Sequence, residues 1–590
     1  MKGVSKIGLA VLVLMGAPVA ASALPVSLQK AAIEPMVLPV PDFVVTTTED
    51  LPDANVGDGL CDAAPNPSIT KCTLRAAVQE AYESEGADVI GFACADDSCV
   101  YTLTRAPVDG AQLETGNLNV SGDVTILGLG RAKTIIDANG TDRAFITAGG
   151  TANFRNLSIR NGKAKKGGGI LCLDTGSVRV YDSALTGNEA TEAGGAIRAY
   201  QCEVSVERST LSGNLAPEGG GISASQGHVV VDRSEFFENR ATGSGGAIQA
   251  SNIVLTKSLL ADNRAAKDGG GLWLFNPDGA AEIVNVTFAG NTAGEKGGAV
   301  YNRARPASFD FVTFFKNAAA EGGAVFNHVS ALPGQANLRN SLFAGGASGG
   351  NCAGTPVKTE GHNIDDAVSC GFGGTEDLSN TDSKLDPNGL GDHGGKTRTV
   401  ALLTGSPAID SGDAFGAPST DQRGTLRPHP STGEVDRGAF ETVPQGLLMH
   451  QAQLTFAPTT VGTSAPSQTV TFQNLGNAAV GMISLSVSDA FDFLLADDCS
   501  GQSVLPGQSC TATVTFKPVN EGVFAADLMF TSTVGNGTIS LQGEGTAAVE
   551  TPPTPSPDGA SDPETPPAST GGGKIGTVVP METAGCSLIR

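Results

Sequence analysis

Tryptophan occurs once and tyrosine five times in 590 residues, and Phe, Tyr and Trp together make up only 5%. Charge is sparse too. Asp, Glu, Lys and Arg make 17% of the chain, below the roughly 25% of ordinary globular domains, which excludes a disordered polyelectrolyte or a coiled coil. No run of Lys or Arg exists, and 37 basic residues face 61 acidic ones, a formal net charge of −24. The basic footprint of a nucleic-acid binder is therefore missing. No apolar stretch after the first 23 residues is long enough to cross a bilayer. The chain has no C-x₂-C, no H-E-x-x-H and no His/Cys cluster. His228, His328, His362, His393, His429 and His450 are scattered, so the usual zinc signatures are absent. Ser406 lacks a G-x-S-x-G elbow. Glycine is plentiful, with 78 residues, but it has no three-residue period, which excludes collagen.

What is present begins with an export signal. Lys2 and Lys6 precede the short apolar run Ile7 to Met15, and Ala21-Ser22-Ala23 is an A-x-A cleavage site. After its removal no transmembrane segment is expected. An exported chain meets oxidising conditions, so its 11 Cys read as disulfides. Ten fall into sequence-near pairs: Cys61/Cys72, Cys94/Cys99, Cys172/Cys202, Cys352/Cys370 and Cys499/Cys510. This pairing is an expectation only, since connectivity does not follow from sequence. Cys586 is left over.

The most informative feature is a repeat across 150–345. Asn161, Asn188, Asn214, Asn239, Asn263, Asn291 and Asn317 follow one another at steps of 24 to 28 residues. Each is followed by a Gly-Gly-small-aliphatic tetrad, such as GGAI at 194–197 or GGAV at 297–300, and preceded by a short apolar stretch. Two helices per repeat would need about 34 residues, and glycine pairs break helices. Three short strands and three turns fit instead, which is one coil of a parallel β-helix. Aliphatics at equivalent positions then stack about 4.8 Å apart. Asn at a fixed corner forms an internal amide ladder, and glycine supplies positive φ and close approach. The Asn and Gly repeats thus have a structural explanation and are not read as a site. About ten coils are expected.

The fold class is all-β: a right-handed parallel β-helix with an N-terminal helix cap, followed by an immunoglobulin-like β-sandwich. The layout is a signal peptide 1–23, a linker 24–42, a cap 43–100, the β-helix 101–345, an aperiodic β-helix end 346–441, the sandwich 447–547, and a Pro/Ser/Gly-rich tail 548–590. The cap holds one amphipathic helix pattern, Thr73 to Tyr82, with Leu74, Ala77, Val78 and Ala81 on one face. The sandwich rests on about seven short strands in 100 residues, among them 454–456, 468–472, 483–487, 510–516, 527–530 and 538–541.

Four regions resemble families of exported bacterial proteins. Cys72-Thr73-Leu74-Arg75-Ala76-Ala77 resembles the signature of the CSLREA-type N-terminal domain, with Thr73 and Ala76 departing from it. The Gly-Gly-Ala-Ile tetrads with Phe236-Phe237-Glu238-Asn239, Phe288-Ala289-Gly290-Asn291 and Phe314-Phe315-Lys316-Asn317 are similar to polymorphic outer-membrane protein repeats. The stretch from Gly394-Gly395-Lys396-Thr397-Arg398-Thr399 through Asp421-Gln422-Arg423-Gly424 to Asp436-Arg437-Gly438-Ala439-Phe440-Glu441 looks like a choice-of-anchor domain. Residues 447–547 resemble Hydin-like immunoglobulin-like domains through Leu454-Thr455-Phe456, Gly476-Asn477-Ala478 and Cys510 to Phe516. The resemblances imply a secreted or cell-surface protein, in the outer membrane or beyond it, of a bacterium, and no reaction. At Gly585-Cys586 the chain departs from the apolar helix and basic end that often close such proteins. Either no anchor is used or the frame is truncated.

Parallel β-helices also include polysaccharide lyases and hydrolases, which need clustered carboxylates on adjacent coils. The galacturonan-hydrolase pattern is missing its Gly-His-Gly and Arg-Ile-Lys elements. Asp182, Glu207 and Asp232 recur at steps of 25, with Arg208 and Arg233 directly after the latter two. They form either an acidic column or a charge-balanced, solvated face. No catalytic residue is assigned. The acid-rich loop Asp53, Asn55, Asp58 resembles a Ca²⁺ loop but misses EF-hand spacing by one residue. Ca²⁺ is the single cofactor candidate, and an ordinary acidic turn is the alternative. The reading is a non-catalytic adhesin or binding protein whose surface ligand is a glycan or a protein. The alternatives are a carbohydrate-active β-helix enzyme and a structural surface or matrix component.

Overall fold

Strands in this chain alternate buried and solvent-facing residues, as in Ser177–Tyr181 and Glu203–Glu207, so each needs a covered side. The computed structural model describes residues 39–63, 71–84, 86–108, 114–304, 306–328, 336–346, 348–428, 434–442, 447–449, 453–474, 479–505 and 507–547. The expected signal peptide, most of the expected linker, the tail with Cys586, and Gly476-Asn477-Ala478 lie outside them, as do His429 and His450.

The cover is supplied by stacking. Parallel strands pair coil on coil into a β-solenoid of about nine turns, one fewer than the spacing predicts. Three long faces run along it. The first includes Phe145–Ala148, Ile170–Leu173 and Ile197–Tyr200, and the second Thr151–Arg155, Ser177–Tyr181 and Glu203–Glu207. The third includes Ser158–Arg160, Ala184–Thr186 and Thr210–Ser212. A fourth, shorter sheet from Lys163–Lys166 to Thr292–Ala293 follows the Asn corner, an addition to the expected three strands per coil. Inward positions stack like on like. Ile170, Ile197, Ile222, Ile248, Leu272, Val300 and Val325 share one register. The rings of Phe288, Phe314 and Phe343 stack at 5.2 and 4.6 Å.

The tetrad glycines are dictated by this stacking. The first Gly of each has left-handed φ, as Gly194 at 69°, and a Cβ on the second, Gly195, would stand 2.2 Å from the Gly220 carbonyl oxygen of the next coil. Only Gly meets both demands.

The N-terminal end of the stack is closed by the helix Leu74–Glu83, N-capped by Thr73, whose Oγ1 accepts the Ala76 N–H at 3.0 Å. Leu74, Ala77, Val78 and Ala81 enter the solenoid core. The other side of the helix is covered as well. The Arg75 side chain is fully buried, 2.7 Å from Asp50, and donates to the Gly116 carbonyl at 2.8 Å.

At the other end, Leu385–Gly391 pairs with Thr399–Leu402, and the chain then returns along the third face as a strap that reaches Phe440 and Glu441. It builds a separate small core with Phe315, Leu342, Ile364, Val400, Leu402 and Phe440. The C-terminal module has two sheets. Leu447–Met449, Gln468–Asn474, Ser509–Phe516 and Phe493–Asp497 form one, and Gln453–Thr455, Gly535–Thr546, Gly522–Ser532, Val480–Val487 and Ser503–Val504 the other. They share a core of Val470, Phe472, Phe493, Val514, Phe516, Leu528 and Leu541.

Candidate binding surface along the solenoid

The buried amide ladder contains Asn188, Asn214, Asn239, Asn263, Asn291 and Asn317. In each of its steps the side-chain N–H₂ donates to the next Asn Oδ1 at 2.9–3.0 Å, and that oxygen also accepts the backbone N–H of the first Asn. A carbonyl of the preceding coil takes the second amide hydrogen, Leu211 for Asn239 at 2.8 Å. Every polar atom in the row is used, which is why a fully buried amide is tolerated.

Asn161 does not belong to this row. Arg160 is level with Thr186, so Asn161 stands beside Gly187 and Gly162 takes the ladder position. Asn161 has φ 57°, at a corner where Gly187 has 62° and Gly213 also 62°, and its amide reaches Asp137 at 3.0 Å. Its sequence step is one residue long because it fills the left-handed position, which Asn tolerates better than most residues.

The acidic column is likewise corrected by register. Tyr181, Glu207, Asp232 and Thr256 are level with one another. Asp182 is one position further on, in the left-handed corner occupied in later coils by Arg208, Arg233 and Lys257. Asp182 therefore faces Arg208 at 2.8 Å rather than a second carboxylate. Arg208 also contacts Glu207, and the bond to Asp182 raises its pKa. Arg233 pairs with Asp232 at 3.1 Å, and Thr256 donates to Asp232 at 2.7 Å. The arrangement is the charge-balanced one.

In the acid-rich loop, Asp53 is buried and its two oxygens accept the N–H groups of Asn55 and Asp62 at 2.8 and 2.9 Å. Asp58 accepts from Leu60, and Asn55 is exposed. Glu80, on the capping helix, takes the Gly57 and Gly59 N–H groups at 2.7 Å each. Burial raises the pKa of both Asp53 and Glu80 against these donors. Backbone amides thus organise the loop around its carboxylates.

Cys61–Cys72, Cys94–Cys99, Cys172–Cys202, Cys352–Cys370 and Cys499–Cys510 are disulfides in the structure, with Cα atoms 5.0, 6.0, 6.1, 4.7 and 5.1 Å apart. Asp498 lies beside the last pair, the one metal-like grouping among the described residues, and its two sulfurs are bonded to each other.

Two rows escape a reading of spacing alone. Ser183, Ser209, Ser234 and Ser258 stack at the corner between the second and third faces, each hydroxyl accepting a backbone N–H from the coil before it. On the outward side of the first face, Trp273, Tyr301 and Phe326 are level. Tyr301 and Phe326 stack at 5.4 Å, and the Tyr301 hydroxyl meets His328 Nδ1 at 2.5 Å. Burial, with Arg303 and Lys296 nearby, lowers the His328 pKa. The aromatic row has a detectable signal, the residue three places after the second Gly of successive tetrads.

Residues 233–251 and 285–303 match the Chlamydia polymorphic membrane protein repeat. These repeats, seated in a β-solenoid, point to a bacterial surface or outer-membrane β-helix protein. Over an alignment of 153 positions that covers 24% of it, the chain is 40% identical to "Metabotropic glutamate receptor-like protein P" of Dictyostelium discoideum, and the match spans only 11% of that protein. Among solved structures, the secreted serine protease VesC from Vibrio cholerae is similar over 17% of this chain and 23% of its own, at 20% identity and TM-score 0.15. The ASH/PapD-like domain of human CEP192 is similar over 20% of this chain and 99% of its own, at 15% identity and TM-score 0.16. No helix among the described residues is long and apolar enough to cross a membrane.

Proposed function

We propose that this chain is an exported bacterial surface protein that binds a ligand along its solenoid and does not convert it, an adhesin rather than an enzyme. The observation that carries this reading is the ion pairing of three carboxylates along the solenoid. Asp182 is held by Arg208, Asp232 by Arg233, and Asp310 by Arg339 at 2.6 Å. Carboxylates fixed in this way maintain a rigid flank suited to recognition. The CSLREA-type cap, the choice-of-anchor strap and the immunoglobulin-like module belong to the same reading as parts that close the rod and hold it at the surface.

The test is cell fractionation of the producing bacterium, together with glycan-array binding and polysaccharide cleavage assays on the full chain with and without Ca²⁺. The expected result is surface or secreted protein that binds without releasing oligosaccharides. Cleavage of any polymer, abolished by Asp232→Asn or Arg233→Ala, would replace this reading with the enzymatic one.

A further inference from the structure

The strap does not cover the whole third face. Its leading edge docks on Glu235, where Arg398 donates its backbone N–H at 2.7 Å and its guanidinium at 3.2 Å. Beside this contact the strap and the solenoid line a half-open cavity of about 320 Å³, at the step between strap and coils. This is the size range of small-ligand pockets, and too large for one inorganic anion alone.

Four cations line it: Arg131 and Arg208 from the solenoid, Lys396 and Arg398 from the strap. Three carboxylates, Asp182, Glu235 and Asp392, share the lining with them. Two of the four are already neutralised, Arg208 by Asp182 and Glu207, and Arg398 by Glu235. Arg131 donates to the Thr210 hydroxyl at 3.3 Å, and neither it nor Lys396 is paired with a carboxylate among the described residues. Asp392, at the same step, uses one carboxylate oxygen to accept the Gly394 N–H at 3.0 Å.

We propose that this step is a subsite for an anionic sugar unit. The two uncompensated cations take its carboxylate or sulfate group, and the carboxylates and the Thr210 hydroxyl at the rim take its ring hydroxyls. Charge-assisted bonds to Arg and Lys are the strong contacts for such an anion. Rim carboxylates accept hydroxyl hydrogens but repel a bare polyanion, so the site selects an anion that also carries hydroxyls. The inference rests on the binding reading above and names its ligand class.

The experiment is biolayer interferometry of the full chain against immobilised polygalacturonate, heparin and dextran. Wild type is compared with the double variant Arg131→Glu/Lys396→Glu, and with Thr210→Val as a milder probe. Both charged residues are exposed, so an unchanged melting temperature checks that the variant folds. Expected are binding to polygalacturonate (carboxylate arm) or heparin (sulfate arm) and none to dextran. A weakening of roughly 10- to 100-fold is expected in the double variant, and a steep loss of affinity with added salt. No binding to either anionic polymer, or equal binding by wild type and double variant, overturns the subsite. Dextran or protein binding alone overturns it while leaving the binding reading intact, whereas release of oligosaccharides overturns the binding reading itself.

Discussion

In the stacked coils a buried polar group meets a copy of itself, whereas in the strap it meets an opposite charge. The Asn row passes the same bond from coil to coil. The strap, with no period, places Arg423 2.7 Å from Asp421 and Arg427 3.2 Å from Glu441, all four side chains being buried. It then lays the guanidinium groups on Phe440 and Phe311 at 3.6 and 4.0 Å. Asp421 also accepts the N–H groups of Arg423, Gly424 and Thr425. A repeated backbone lets neutral amides satisfy one another, because each neighbour presents the same atoms. An irregular segment needs groups with many donors and acceptors, and Arg and Asp supply the most.

The comparison breaks first in the strap. Arg427→Ala leaves Glu441 buried without its guanidinium partner, and the expected cost is about 3–5 kcal/mol. Limited proteolysis should then cut within 385–442 while the far-ultraviolet signal of the coils persists. Simultaneous loss of both would mean that strap and coils form one cooperative unit.

A smaller effect is expected in the ladder. Asn239→Ala removes its bonds to Leu211 and Asn263 and the acceptor used by Asn214, at a cost of about 1–3 kcal/mol in chemical denaturation. Asn161→Gly, at a corner where the next two coils carry glycine, should stay within about 0.5 kcal/mol. Equal effects would contradict the register described above.

The smallest effects are electrostatic and opposite in sign. Burial, with Glu295 nearby, raises the pKa of Asp268. Its ionised form therefore costs stability at neutral pH, and the cost disappears as pH falls through the raised value. Asp268→Asn should raise the melting temperature at pH 7, and the gain should shrink in acid. For Asp137, burial is outweighed by donors from Asn139, Arg160 and Asn161, and its pKa is lowered. Its stabilisation is full above the ordinary Asp range and lost as pH falls through the lowered value. Asp137→Asn should lower the melting temperature at pH 7 and converge with wild type in strong acid.

Much of the solenoid was legible in the chain. A period near 26, glycine pairs and alternating aliphatics allow few other structures. Legibility failed where one residue of register mattered. Sequence steps of 24 to 28 conceal which residues are level, because corners absorb the differences, and a one-residue slip moves a side chain from a row to a corner. Asp182 and Asn161 were misplaced for this reason. Arg75 was hidden differently: it is the second residue of an amphipathic helix, and only the loop holding Asp50 and the Gly116 carbonyl turn its side into an interior.

By itself the sequence determined the repeat, its parallel stacking and the inward faces, since these follow from local alternation and from the backbone freedom of glycine. Only the tertiary structure decided where the strap lies. Arg398 and Glu235 are 163 residues apart in the chain, and no periodicity connects them. Their meeting, and the step it leaves beside Arg131, depends on how far the returning segment reaches along the third face. That reach is set by the packing of Phe311, Phe315 and Phe440 and by the buried charge pairs, long-range contacts that no local pattern encodes.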